Sequence, residues 1–299
     1  MKAKMSLILK RVIVYISALT LFIFCAGPVF LSLMGSIIPD PALFSFPPNW
    51  FSKGLTFDNY LYTFTGRIPK EYTVTGANRG MITEASRQVP RSMVNSTIVA
   101  LAVMAVNIAF GSLAAYAFAR MRFRGKSITF MGIVICRLVP AVALANPFYL
   151  LVQGLGLLGT KYALILVHSV LTLPFTVLIL SVFFRTIPFE IEDAAAVDGC
   201  SRFQTFYKIT LPLSGPSVFA TGLFAFMLSY SEFTFALVLS GEAGSRPLSA
   251  VMAALSRNTD VSWGLLNTGV FLALIPSVIL VSIIWKFVVE GIIVGAVKG

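Results

Sequence analysis

Charged side chains are scarce in this sequence. Only 12% of its 299 residues are Asp, Glu, Lys or Arg, whereas 57% are hydrophobic. An ordinary soluble domain carries about 25% charged residues, so this chain has too little charge to cover a water-facing surface of its size. The composition excludes a soluble globular domain and predicts a membrane protein.

Residues that perform catalysis or bind metals are also few. The chain has one His and three Cys, and no nucleophile–base pair, catalytic carboxylate pair or metal-ligand cluster stands out. Three scattered cysteines indicate no disulfide framework. Gly125-Lys126-Ser127 resembles the end of a phosphate-binding loop, but Arg120 stands where that motif requires Gly. We therefore expect no catalytic site, no metal and no cofactor on this chain.

Long apolar runs take the place of charge. A bilayer core of about 30 Å requires roughly 20 apolar residues in a helix, and a backbone in lipid must satisfy its own hydrogen bonds. The runs are continuous rather than alternating, which favours helices. They predict an all-α membrane protein with six spanning helices, at about residues 12–34, 94–119, 128–152, 162–184, 213–240 and 266–289.

The distribution of Lys and Arg predicts how these spans are arranged. We interpret residues 1–299 as a single transmembrane domain. Basic residues concentrate in the loops and termini of one side, which predicts that both termini are cytoplasmic. The net charge of +11 then reflects topology and contact with membrane lipids rather than nucleic-acid binding. An outer loop over 35–91 contains a polar part, 65–88, whose role stays open, and a cytoplasmic loop covers 185–212.

The 185–212 loop has the signals of two short helices. Pro188 suits a first helical turn, Gly199 suits a helix end, and Ser201 with Gln204 has capping-box spacing. The second helix has an apolar face and ends at a proline: Phe203, Phe206, Tyr207, Ile209 and then Pro212. Such a helix pair is either a docking surface for another protein or an amphipathic connector among the lipid headgroups.

The spacing in this loop resembles the EAA loop of permease subunits in binding-protein-dependent ABC importers, E-A-A-x3-G-x9-I-x-L-P. The matching residues are Asp193 in place of the leading Glu, Ala194, Ala195, Gly199, Ile209, Leu211 and Pro212. The flanking sequence, including Leu55 to Tyr60 and the C-terminal tail, is similar to the carbohydrate-uptake branch and its six-span, maltose-type permease subunits.

That resemblance implies a fold, a set of partners and a role for this loop. The fold would be that of a type I ABC importer permease in the inner membrane. The partners would be a second homologous permease, usually a different chain, a dimer of ATPase subunits that binds ATP and Mg, and an extracytoplasmic solute-binding protein. Asp193, Ala194, Ala195, Asp198 and Gly199 would form the docking helix and its turn. Asp193 is shorter than Glu, so a direct salt bridge to the ATPase has less reach.

Polar residues inside the spans are candidates for the solute path. Arg137 lies near the middle of the third span, where a charge costs roughly 2.5–3.5 kcal/mol unless it faces water or protein. Pro140 and Pro147 predict irregular backbone that lines a cavity. The candidate pathway residues are Arg137, Asn146, Tyr230 and Glu232. Arg137 contacts either the solute, which would then be anionic, or an ion-pair partner, for which Glu232 is one candidate.

A second hypothesis uses some of the same residues. An ion-coupled secondary transporter could be built on Arg137, His168 and Glu232, although such proteins often contain internal repeats and none is visible here. A single His in an apolar span is more commonly a packing residue than a proton relay. The two hypotheses differ in energy source, because only the importer requires ATP and a partner ATPase.

Overall fold

Helices form all the secondary structure of the described residues. In this computed structural model those residues are 2–47, 50, 54–67, 84–241, 244–256 and 262–296, and within these ranges there is no strand. The all-α class is confirmed. Most of the predicted polar stretch 65–88, from 68 to 83, lies outside the described residues.

The helices vary widely in length. In chain order they are α1 (Lys2–Ile37), α2 (Asp40–Leu43), α3 (Asp58–Thr65), α4 (Glu84–Val106), α5 (Ser112–Arg120), α6 (Lys126–Cys136), α7 (Ala141–Gly154), α8 (Lys161–Thr186), α9 (Phe189–Val197), α10 (Arg202–Thr205), α11 (Leu211–Leu213), α12 (Gly215–Tyr230), α13 (Thr234–Leu239), α14 (Leu248–Ser256) and α15 (Trp263–Ala296). Two π-helical turns, Asn107–Gly111 and Phe206–Thr210, join α4 to α5 and α10 to α11.

Several of these helices are long and apolar enough to cross a bilayer. Among the described residues there are four: Ile8–Ile37, Ala85–Arg120, Lys161–Thr186 and Trp263–Ile283. Two bent helix pairs raise the number to six if each pair is one span. The chain is therefore a multi-pass membrane protein.

The third and fifth predicted spans are not the continuous helices that the sequence predicts. In the third, α6 and α7 are bent by 99°, because Pro140 cannot continue a helix and the residue before it is pushed out of the helical conformation. In the fifth, α12 ends at Tyr230 and α13 begins only at Thr234. Both breaks leave backbone groups that side chains or water must satisfy.

One compact unit contains Met1–Pro90 and Met252–Leu274. Within it, Asp40 accepts hydrogen bonds from the Ser262 hydroxyl and the Gly264 N–H, both at 2.8 Å, at the start of α15. Burial raises the pKa of Asp40, while these two hydrogen bonds oppose the rise. The Asp40 carboxyl group thus caps the N-terminus of α15, although it is distant from that helix in the sequence.

The other unit contains Arg91–Val251 and Ile275–Gly299 and is built around α8. The Thr160 hydroxyl caps this helix by accepting from Ala163 N. One apolar cluster surrounds Leu164 near the start of α8, and a second surrounds Phe184 near its end. The first cluster packs α4, α7 and α13 against α8, and the second packs α5 and α12 against it.

A buried amide joins the first π turn to α8. Asn107 donates to the Thr172 hydroxyl and accepts from the Thr176 hydroxyl, each at 2.8 Å. At the end of the turn, a Cβ on Gly111 would lie 2.6 Å from Thr176 Cγ2, so only glycine permits this approach. The interrupted helix is therefore attached to α8 by both hydrogen bonds and close packing.

Candidate functional site

The first helix of the 185–212 segment ends at a glycine turn, as predicted. Gly199 has a φ of +82°, a conformation that residues with a Cβ adopt only with strain. Its N–H donates to the Ala196 carbonyl at 3.1 Å, and the N–H of Cys200 donates to the Ala195 carbonyl at 2.9 Å. These bonds form a Schellman motif, which sets the direction of the chain after α9. Pro188 occupies the N-cap position, one residue before the helix.

The second helix begins at the predicted capping box. Ser201 N donates to Gln204 Oε1 at 2.8 Å, and Gln204 N donates to Ser201 Oγ at 3.3 Å. The helix continues through the second π turn into α11. Pro212 lies inside α11, one residue before the helix ends at Leu213. The break comes at Ser214, after which the chain bends by 82° into α12.

The two faces of α9 differ in exposure and charge. Glu192 and Ala195, three positions apart and therefore on one face, are buried. Asp193, Ala194 and Asp198 are exposed. The exposed face thus offers small side chains and two carboxylates to another molecule, while the opposite face holds the helix to its own chain.

The aromatic residues of the second helix differ in burial, although the rings of Phe203 and Phe206 lie only 6.4 Å apart. Phe206 is buried, and its ring centroid lies 5.1 Å from that of Tyr116 and 6.4 Å from that of Phe184. Phe203 and Tyr207 are instead 66% and 64% exposed. Ile209 and Leu211 are half-buried and Pro212 is exposed.

A buried ion pair that the sequence analysis missed holds this segment to α5. Arg120 Nε lies 2.9 Å from Glu192 Oε1, and both side chains are 1% exposed. Arg120 Nη2 also donates to the Ile187 carbonyl at 2.6 Å, and its guanidinium lies 4.2 Å from the centre of the Phe189 ring. The end of α5 therefore contacts both the charge on α9 and the backbone that leads into it.

Glu192 connects three elements at once. Besides the ion pair to α5, it accepts from the Tyr116 hydroxyl at 3.2 Å and from the Thr210 hydroxyl at 3.1 Å. Tyr116 belongs to α5 and Thr210 to the second π turn. A displacement of α9 must therefore move α5 and the second π turn, or break hydrogen bonds to a buried charge.

Arg137 and Glu232 do not pair, contrary to the suggested ion pair. The Glu232 carboxylate accepts from the N–H groups of Phe235 at 2.9 Å and Ala236 at 3.1 Å, which caps α13. It also lies 3.4 Å from His168 Nε2. All three of these contacts are made by Oε2, so this oxygen stabilises the helix break that follows α12.

Histidine 168 is a buried packing residue with polar partners, as the sequence analysis favoured. It is 2% exposed, and its Nδ1 lies 2.9 Å from the Ser229 hydroxyl. The Ser249 hydroxyl in turn donates to the Glu232 carbonyl at 2.7 Å. This polar cluster therefore stabilises the interrupted fifth span.

Arg137 lies in the break between α6 and α7. Its guanidinium carbon is 4.7 Å from the centre of the Phe175 ring, and its side chain forms no ion pair with any acidic group that the structure describes. Stacking on an aromatic face leaves the edge of a guanidinium, with its N–H donors, available. Arg137 is thus a half-buried cation with unused donors at a broken span.

The other two pathway candidates differ in their surroundings. Asn146 is exposed on α7, next to Pro147. Tyr230 stacks on Phe226 with ring centroids 5.5 Å apart, and its buried hydroxyl has no hydrogen-bond partner among the described residues. The four candidates therefore do not form one contiguous set of hydrogen-bonded groups.

Comparisons with known proteins match most of the chain. Residues 107–293 match the family described as binding-protein-dependent transport system inner membrane component. The trehalose/maltose transport system permease protein MalG of Thermococcus litoralis is 29% identical over 294 residues, which are 98% of each chain. The sulfoquinovosyl glycerol transport system permease protein SmoH of Agrobacterium fabrum is 29% identical over 285 residues, 95% of this chain and 93% of that protein.

The fold also matches a solved structure. A chain of a bacterial ABC transporter involved in the import of the acidic polysaccharide alginate is similar with a TM-score of 0.66 and 19% identity. The match covers 92% of this chain and 96% of that chain. At this identity the likeness establishes the fold alone.

Proposed function

Because this chain belongs to the family of binding-protein-dependent transport system inner membrane components, we propose that it forms one half of the solute path of an ATP-driven importer. It is the permease subunit, and membership in the family implies an ATPase and a solute-binding protein as partners. The other half of the path is a second, homologous permease of different sequence. A dimer of ATPase subunits binds ATP and Mg, and the assembly lies in the inner membrane with α9 on the cytoplasmic side.

The observation that carries this proposal is the construction of α9. Its exposed face presents Asp193, Ala194 and Asp198, and Gly199 turns the chain directly after them. Its buried face is attached to α5 through Glu192. A surface that is accessible on one side and rigidly attached on the other suits the transmission of movement from an ATPase to the spans.

We assign the docking contact to Asp193, Ala194, Asp198 and Gly199. Ala195 keeps α9 close to its own chain, since it is 4% exposed. Three further residues of the motif, Ile209, Leu211 and Pro212, shape the path from the second π turn into α12. Movement of the docking helix then reaches α12 through this path and α5 through the buried ion pair.

The solute of this importer is a carbohydrate or a related compound. Relatives that align with 95% or more of this chain are named for trehalose/maltose, sulfoquinovosyl glycerol and diacetylchitobiose. Arg137 lines the solute path with its free donor edge, and Asn146 and Tyr230 supply further polar contacts. Glu232 acts indirectly, by capping α13 and so shaping the broken fifth span.

The experiment is reconstitution of this chain, its partner permease and its ATPase in proteoliposomes with the solute-binding protein. Uptake is expected to require ATP on the side that α9 faces, and to persist when a protonophore collapses the proton gradient. Vesicles without the ATPase, or with a nonhydrolysable ATP analogue, are the controls. Uptake driven by an ion gradient without ATP would instead support the secondary-transporter hypothesis built on Arg137, His168 and Glu232.

In the same assay, Arg137→Gln is expected to lower solute uptake at least tenfold. The reason is that a hydrogen bond to a charged group is worth about 1.5–3 kcal/mol, and glutamine cannot replace the charge. Arg137→Lys keeps the charge and should recover part of the rate, whereas Arg124→Gln, on an exposed turn, should have no effect. If Arg137→Gln instead releases the second permease on purification, Arg137 is an interface residue and this assignment is wrong.

A further inference from the structure

A cavity of about 360 Å³ opens where the ends of α5, α6 and α8 meet. It is lined by Phe118, Lys126, Ser127, Phe130 and Arg185. Two of these residues are cationic and none is acidic. The neighbouring Arg120 joins the same segment to α9, so the cavity lies on the side of the membrane that α9 occupies.

The two cations are held at the cavity by the backbone of one short segment. Lys126 Nζ donates to the Met121 carbonyl at 3.0 Å, and Arg185 Nη2 donates to the Phe118 carbonyl at 3.4 Å. Each side chain keeps further donors, since Lys has three N–H groups and the Arg guanidinium has five. Neither forms an ion pair with the acidic side chains that the structure describes. The site therefore has uncompensated positive charge with unused donors.

The N-terminus of α6 adds partial positive charge to this site. α6 begins at Lys126 after Gly125, which has a φ of +81° and provides no side-chain cap. The first N–H groups of a helix lack intrahelical partners and carry partial positive charge. Together with the two side chains, they describe a site for a phosphate group.

An apolar surface begins at the same place. Phe118 and Phe130 line the cavity with ring centroids 5.3 Å apart. Ile128, Met131 and Ile135, at helical spacing on α6, are 78%, 58% and 52% exposed, and none of the residues of α6 is buried. A ligand with a phosphate head and a long apolar chain would cover both surfaces, whereas a free phosphate would cover only the first.

From these features, the geometry points to a binding site for an anionic phospholipid, with its phosphate between Lys126 and Arg185 and one acyl chain along Ile128, Met131 and Ile135. Basic pockets between membrane helices are suited to lipid headgroups. The site lies beside the Arg120 attachment of α9, so a bound lipid would fix the turn that joins α5 to α6. It is separate from the solute path and from the docking surface of the proposed function.

The test uses the assembled transporter in phosphatidylcholine nanodiscs, into which phosphatidylglycerol is titrated, with bound lipid counted by native mass spectrometry. K126Q/R185Q is expected to bind phosphatidylglycerol about 30-fold more weakly, or about 2 kcal/mol, at roughly 1 kcal/mol for each basic residue. K126R/R185K keeps both charges and should bind close to the wild type. R122Q/R124Q removes the same charge from exposed positions outside the cavity and should bind nearly as the wild type does.

Two further arms identify the source of the phosphate. Met131→Gln should weaken phosphatidylglycerol binding if an acyl chain follows α6, and inorganic phosphate should not displace the lipid. Equal displacement by inorganic phosphate would mean that the site takes a free anion, which overturns the lipid assignment. Unchanged lipid binding in K126Q/R185Q, or loss of the second permease from that variant, would also overturn it.

Discussion

Solute uptake by the Gly199→Pro variant is expected to fall below detection, although the chain still inserts into the membrane. Proline holds φ near −65°, whereas Gly199 has a φ of +82°. Proline also removes the N–H that donates to Ala196. The Schellman turn cannot form, so α10 leaves α9 in another direction and the docking face loses its shape.

A series at this position separates backbone conformation from side-chain size. A Cβ on Gly199 would meet no atom within 4 Å, so only the left-handed backbone opposes substitution. Asn tolerates that conformation and should keep most of the uptake, whereas Ala should lose part of it because strain of about 1–2 kcal/mol opposes the turn. Gly215→Ala is the matched control, since Gly215 also has open space but no positive φ.

The measurements are uptake in proteoliposomes, ATP hydrolysis, and recovery of the ATPase with the membrane chains. Wild-type uptake by Gly199→Pro would show that the turn is dispensable and would remove the main support for docking at α9. Loss of membrane insertion would show instead that the turn is needed for folding. The effect of the turn on uptake would then be judged from the Gly199→Asn and Gly199→Ala variants.

The parts of the site that the sequence predicted depend on local signals. The glycine turn and the capping box of Ser201 and Gln204 are each determined within a few residues, because a positive φ selects glycine and a hydroxyl three positions before an amide forms reciprocal bonds. The same reasoning identified the apolar helices from run length alone. Local chemistry thus predicts the long apolar helices and the turn and cap of the 185–212 segment, but not the breaks inside the third and fifth spans.

The parts that were missed depend on tertiary packing. Glu192 and Asp193 both suit the first half of a helix that favours acids, and only the rotation of α9 about its axis, set by its packing on α5, buries one and exposes the other. Arg120 belongs to a run of basic residues that is typical of an exposed cytoplasmic loop, and nothing near it in the sequence indicates that its side chain is buried. Glu232 was assigned to a charge partner because the break after Tyr230 contains no Gly or Pro that would predict a new helix to cap.

Breaking the Arg120–Glu192 ion pair is expected to separate ATP hydrolysis from uptake. Glu192→Gln leaves the Arg120 guanidinium buried without its counter-charge. Arg120→Gln likewise leaves the Glu192 carboxylate buried without its counter-charge. Removing one partner of a buried pair costs about 3–5 kcal/mol, so both variants should lower the thermal unfolding temperature. Because α9 is then loosely attached to α5, we expect each ATP hydrolysed to import several-fold less solute.

Two further variants separate the loss of stability from the loss of uptake: a double variant of the ion pair and a variant of the neighbouring Asp193. Arg120→Met with Glu192→Leu removes both charges together, and replacement of a buried pair by apolar residues is often neutral or stabilising. We therefore expect its unfolding temperature to recover, while uptake recovers only in part, since Tyr116 and Thr210 still lack the acceptor that orients α9. Asp193→Asn, one residue away but exposed, should leave the unfolding temperature unchanged and weaken recovery of the ATPase. Full uptake and full stability in both single variants would mean that α9 transmits movement without this attachment, and the path through Leu211 and Pro212 into α12 would then have to carry it alone.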